Sequence, residues 1–176
     1  MFNDSQFSIC EMDISEAKVI ADFVNLAYLD VQQEFFGGLP RTDLAEVQGV
    51  FAKGIWLGAY SIESNRLLGV GAMEFSSLTL AILSKLATLQ TPEAKGLGIL
   101  INLEHIKIAI AKKINRIEFD VVGKRDEPGP YEAQLLARSL KLGFILESHF
   151  DFCEVYTERA QFQKLPLKVL RFSKQL

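Results

Sequence analysis

The sequence predicts an α/β (α+β) fold: a mixed, mostly antiparallel central sheet of about seven strands with helices on both faces. Three observations carry this. Seven stretches have strand character, they alternate irregularly with helical stretches, and three follow one another mid-chain with no helix between them. Strands joined by short turns pair antiparallel, whereas those separated by helices can lie parallel, so the sheet is mixed.

Taken in order, Phe7 to Met12 alternates apolar and polar residues as a short strand. Asp13 and Glu16 then have the spacing of a capping box. Ala17, Ile20, Ala21, Val24, Ala27, Tyr28 and Val31 recur at helical spacing, placing one long helix up to the region of Asp30 to Glu34. A loop, Phe35-Phe36-Gly37-Gly38-Leu39-Pro40, follows. Thr42 is the expected N-cap of a second helix, Asp43 to Lys53, ending at Gly54. Ile55 to Ser61 and Leu67 to Phe75 are strands flanking a polar turn, and the apolar stretch Leu78 to Leu89 is the next. A strongly apolar helix runs from Leu97 to Lys113, with Asn102, His105 and Lys112 on a narrow polar stripe. Ile117 to Val121 alternates as a strand. A charged loop, Gly123 to Pro130, leads to a helix from Tyr131 to Leu142, capped by Gly143. Phe144 to Phe152 and Pro166 to Ser173 are the closing strands, with Thr157 to Lys164 a short helix or loop between them.

Composition limits the function. With 176 residues, 49% apolar and 23% charged, the chain has the make-up of an ordinary globular domain, and a single domain over residues 7–174 is expected. Nineteen basic and 22 acidic residues give a charge of −3, without the basic stripe of a nucleic-acid binder. The acidic balance is compatible with a cationic amine ligand. Cys10 and Cys153 are far apart and lack metal-ligand spacing, so no metal is expected and both should pack as small apolar residues. The N-terminus lacks a signal-peptide pattern, and Gly96 to Ala111 is too polar to span a bilayer. A cytoplasmic protein is the expectation.

The chemically informative segment is Leu83 to Leu103: a strand, a turn with two glycines, and the start of a long helix. A helix N-terminus exposes unpaired N–H groups and partial positive charge, and glycine lets a ligand approach the backbone closely. Lys95 adds a mobile cation. Neither G-x-x-x-x-G-K-[ST] nor a full G-x-G-x-x-G is present, because Ile101 stands where the third glycine would be. On these residues alone, a phosphate cradle and a ligand-free tight turn remain equal readings.

In its element order, the chain resembles the GNAT superfamily of N-acetyltransferases. Glu93-Ala94-Lys95-Gly96-Leu97-Gly98 occupies the slot of the family's [QR]-x-x-G-x-[GA] motif, and Leu140-Lys141-Leu142-Gly143-Phe144 is similar to its Y-E-K-L-G-F. Lys168 to Lys174 looks like its last strand. The resemblance implies transfer of an acetyl group from acetyl-CoA to a primary amine of a small molecule or peptide. It implies that backbone groups of Glu93, Ala94, Lys95, Gly96, Leu97, Gly98 and Ile99 hold the cofactor pyrophosphate. Leu86, Ala87 and Thr88 would pair with the pantetheine arm, and a homodimer is possible. The loop around Phe35 and Phe36 would close over the acceptor, unless those rings merely anchor it.

Three positions depart from the family pattern. Glu93 replaces Gln or Arg. Ala81-Ile82-Leu83-Ser84 has no carboxylate where many members carry a base. Ser139 occupies the slot of the tyrosine that protonates the leaving thiolate. Candidate replacements are Glu74 or Asp120 as base and Tyr131 as acid, with Glu118 as an amine-binding residue. For the carboxylates a solvated or ion-paired structural role is the alternative, and for Tyr131 a place as the first residue of its helix. A CoA-binding module without turnover is the alternative for the whole chain.

Overall fold

The structure is a computed structural model describing residues 6–126 and 130–176, with only the backbone of residues 130 and 131. Its elements in chain order begin with β1 (Phe7–Glu11), a 3-10 turn (Ile14–Glu16), α1 (Ala17–Ala27), α2 (Leu29–Phe36) and α3 (Leu44–Lys53). Next come β2 (Gly54–Ser61), β3 (Leu67–Phe75), β4 (Leu80–Thr88), α4 (Leu97–Ala111) and β5 (Arg116–Lys124). The chain closes with α5 (Pro130–Lys141), β6 (Ile145–Asp151), α6 (Phe152–Val155), α7 (Thr157–Ala160) and β7 (Leu167–Gln175). The seven strands form one mixed sheet in the order β1-β2-β3-β4-β5-β7-β6, with a single parallel pair, β4 with β5.

Both faces are covered. On one, Ile20 and Val24 of α1 and Val47 and Val50 of α3 pack on Trp56, Val70 and Ala72. On the other, Leu97 and Ile101 of α4 cover Leu57 and Leu68, and Ile106 joins Met73, Leu83 and Ile117. No helix among the described residues is long and apolar enough to cross a membrane.

Several local signals are met. The Asp13 carboxylate accepts from the Ser15 N–H and the Glu16 carboxylate from the Asp13 N–H, closing the expected capping box. Gly143 adopts φ 79° while the Phe144 N–H bonds to the Ser139 carbonyl, ending α5 as its sequence suggests.

Others are corrected. The single first helix is broken at Tyr28 (φ −101°, ψ 4°). The break lets α1 lay Ile20 and Val24 on one core cluster while α2 lays Phe35 and Phe36 on another. Those two residues end a helix rather than sit in a loop. Asp43, not Thr42, caps α3, its carboxylate accepting from the Glu46 N–H at 2.8 Å. Thr42 is buried against Asn25 instead. Gly54 does end α3 as expected, but in extended backbone that opens β2, where a Cβ would collide with Met73. Cys10 and Cys153 are both exposed free thiols, not packed residues.

A candidate active site in the gap between two strands

Two features open the sheet beside β4. The first is a bulge: Ala72 pairs with Ser84 and Val70 with Ala87, so β4 carries an extra residue and Lys85 takes a left-handed φ of 50°. The second is the brevity of the parallel ladder. β4 meets β5 only over Leu80–Ile82 against Arg116–Glu118, and β5 then follows β7 along its whole length. Beyond Ile82 the two parallel strands part, leaving one edge of β4 without a strand partner.

Backbone alternation shows which groups face the gap. The Leu89 N–H donates to the Leu68 carbonyl, so the Ala87 groups turn toward β3 and those of Leu86 and Thr88 toward the gap. Of the three residues expected to meet the pantetheine arm, Leu86 and Thr88 therefore turn backbone groups to the gap and Ala87 does not. The Leu86 carbonyl already accepts from the Tyr28 hydroxyl at 2.7 Å. The helix break at Tyr28 thus braces the bulge.

The glycine turn lies at one end of this gap, against the sheet face covered by α4. A Cβ on Gly98 would lie 3.4 Å from Leu86 and 3.8 Å from Thr88. Gly96 has φ 85° and no side chain caps α4. The N–H groups of Ala94, Lys95, Leu97 and Ile99 are used within the turn, bonding to Thr91, Pro92, Ala94 and Gly96 carbonyls. Those of Gly96 and Gly98 have no backbone partner among the described residues. Of the run from Ala94 to Ile99 expected to meet a pyrophosphate, these two N–H groups are the ones left open. Lys95 is exposed, Ala94 is buried with Leu97, and the exposed Glu93 borders a depression shared with Phe7 and Ser61, over the β1–β2 end.

The opposite face of the gap carries Lys85, and Tyr28 and Arg41 lie against it. Asp120 and Glu118 face the same side, as their alternation predicts. Among the described side chains, none of the candidate proton carriers is free. Glu74 is ion-paired with Lys53 at 2.5 Å. Glu118 accepts from Arg116 at 2.7 Å. Asp120 is held by both ends of the Arg171 guanidinium, each at 2.8 Å, and accepts from the Tyr156 hydroxyl at 3.3 Å. That clamp raises the Arg171 pKa, while burial and the Asp120 charge push the Tyr156 phenol up. The Ser139 hydroxyl donates to the Leu135 carbonyl of its own helix at 2.7 Å, so it is not poised as an acid. Tyr131 lies in the first turn of α5, but its side chain is outside the described residues. Phe35 and Phe36 are buried with Phe152, Leu167 and Val169, which is the anchoring arrangement. Among the described residues no group of three or more His, Cys, Asp or Glu is placed to hold a metal.

The sequence reading missed Tyr28, Arg41 and Lys85. Tyr28 was legible only as part of a helical stripe, and nothing in the local sequence signals a bulge at Lys85.

No protein-family model matches the sequence, nor does any curated protein. Solved structures do. A GNAT family acetyltransferase from Elizabethkingia anophelis with acetyl-CoA bound superposes with TM-score 0.69 at 13% identity, covering 99% of this chain and 100% of its own. The chain has the GNAT fold. A spermidine N-acetyltransferase from Vibrio cholerae in complex with CoA and spermine superposes on this GNAT-fold chain with TM-score 0.66 at 14% identity, covering 98% and 96%. An aminoglycoside 6'-N-acetyltransferase from Enterococcus faecium gives 0.66 at 12% identity, covering 96% of each.

Proposed function

We propose that residues 7–174 form one acyl-CoA-dependent N-acetyltransferase domain that moves an acetyl group from acetyl-CoA to a primary amine. One observation carries the reading: the gap beside β4 joins an unpaired strand edge to a glycine turn with two free N–H groups. This fits an extended thiol-ester cofactor ending in a pyrophosphate. The Gly96 and Gly98 N–H groups and Lys95 would hold the phosphates, and the edge groups of Leu86 and Thr88 the pantetheine. The bound cofactor supplies an activated acyl group.

The amine nitrogen attacks the thioester carbonyl carbon from the opposite face. The N–C bond forms, the C–S bond breaks, and thiol and amide leave. Because Glu74, Glu118 and Asp120 are ion-paired and Ser139 is bonded to its helix, the chain contributes chiefly by juxtaposing the reactants. The extra proton of the amine goes to water, and the departing thiolate takes one from water.

Calorimetric titration with acetyl-CoA, followed by thiol release against an amine panel, tests this. Submillimolar binding with thiol release is expected; no binding at millimolar acetyl-CoA overturns it. Those ion-paired carboxylates favour a second reading, a CoA-binding module without turnover. Binding without thiol release from any amine selects that one.

A further inference from the structure

The gap opens on both faces of the sheet. One holds the glycine turn. At the other, Arg41 lies over the Tyr28 ring, 5.7 Å from its centroid, and Tyr28 bonds the carbonyl of Leu86, the residue after Lys85. Among the described residues neither Arg41 nor Lys85 has an ion pair or a side-chain hydrogen bond. Two carboxylates act on Lys85 without an ion pair to it: Glu46, which accepts from the Thr42 hydroxyl and keeps its charge, and Glu74, which pairs with Lys53.

Arg159 adds a third cation, but its role is mechanical. It stacks on Phe36 and donates to the Pro40 and Arg41 carbonyls, so it fixes the backbone that presents Arg41. The Ser84 hydroxyl, one residue before the bulge, is buried without a hydrogen-bond partner. A chain of net charge −3 has thus gathered unpaired cations and an unsatisfied hydroxyl at one mouth of its gap. Two like charges held together and partly out of water are unfavourable unless an anion completes them.

We infer that Arg41 and Lys85 bind an anionic group of the acceptor, so that the acceptor is a primary amine carrying a carboxylate or phosphate rather than a polycation. This rests on the acetyltransfer reading and names its substrate class. The arrangement is a two-cation clamp, with the Arg41 guanidinium able to take two oxygens of one anion side by side. Burial, together with the Arg41 charge, lowers the Lys85 pKa against the opposing effect of Glu46 and Glu74.

Calorimetry in the presence of CoA tests the clamp without requiring turnover. The probes are N-acetyl-α-amino acids and their methyl esters, O-phosphoethanolamine, and spermidine. At least ten-fold tighter binding of the free acids than of their esters is expected, lost in Arg41→Gln and Lys85→Gln and partly restored in Arg41→Lys. Tighter binding of O-phosphoethanolamine than of the acids identifies phosphate as the anion. Equal binding of acid and ester, preference for spermidine, or unchanged affinities in variants that melt like the parent overturns the inference. If the anion preference holds but amino acids release no thiol, the transfer reading fails and the clamp stands.

Discussion

His105 reaches the interior of the sheet, 1% exposed, with both ring nitrogens lacking a hydrogen-bond partner. The Gly71 backbone beside it only partly offsets burial, and the imidazole pKa falls from 6.5 to about 3. The ring is therefore neutral in the folded chain over the range in which an unfolded chain protonates it. Stability from this residue is complete above pH 6.5 and declines as pH falls toward 3, by up to about 1.4 kcal/mol per pH unit. Urea unfolding at stepped pH should show that slope, and His105→Leu should flatten it while stabilising by roughly 1 kcal/mol at neutral pH. A slope unchanged in the Leu variant assigns acid sensitivity to other groups. His105 was legible as one of three polar residues on a narrow stripe. That His105 is buried while Asn102 is partly exposed and Lys112 exposed was not, because periodicity orders residues around an axis without saying which sector meets the sheet. Phe35 and Phe36 taught the converse: two aromatics beside two glycines read equally as a lid or an anchor, and only the Phe152 cluster decides between them.

At the scale of elements, the start of α4 sets two glycines different tasks. Gly96 stands at φ 85°, where a Cβ is strained, whereas Gly98 has room for one at ordinary contact distance. Gly96→Ala should cost roughly 1–2 kcal/mol and weaken acetyl-CoA binding at least ten-fold, since the turn that frees both N–H groups is disturbed. Gly98→Ala should leave affinity intact and raise the melting temperature slightly, because alanine is the better helix former. Matched thermal melts and calorimetry on the two variants distinguish them; equal losses refute the division of labour. The glycine turn could be read from the sequence because its residues are adjacent and chemically marked. The bulge on β4 could not. It arises from pairing between Val70–Ala72 and Ser84–Ala87, and Lys85 is an unexceptional residue until that register forces it to φ 50°. Helix division at Tyr28 was hidden for the same reason, since its decisive bond runs to Leu86, 58 positions away.

For the whole molecule, element order was enough to give the architecture, because seven strands interrupted by helices at these intervals leave few ways to cover both faces of one sheet. The proton economy of the gap follows from its ion pairs. With Glu74, Glu118 and Asp120 each engaged by a cation, the acetyl transfer proposed above requires the acceptor to arrive as its neutral amine. Acetyl transfer should therefore accelerate about ten-fold per pH unit until the amine's own pKa is reached, and shift with that pKa across a series of acceptors. A plateau fixed at lower pH for every acceptor would reveal a base belonging to the chain. The short ladder between β4 and β5 has one more consequence. Mechanically the sheet is two leaves, β1–β4 and β5–β7, sharing a spine three residues long. A molecule seated between the leaves is a stitch, and its concentration sets how hard they are to part. With the proposed cofactor bound, the rigidity of this protein would then depend on the solution around it as well as on its chain.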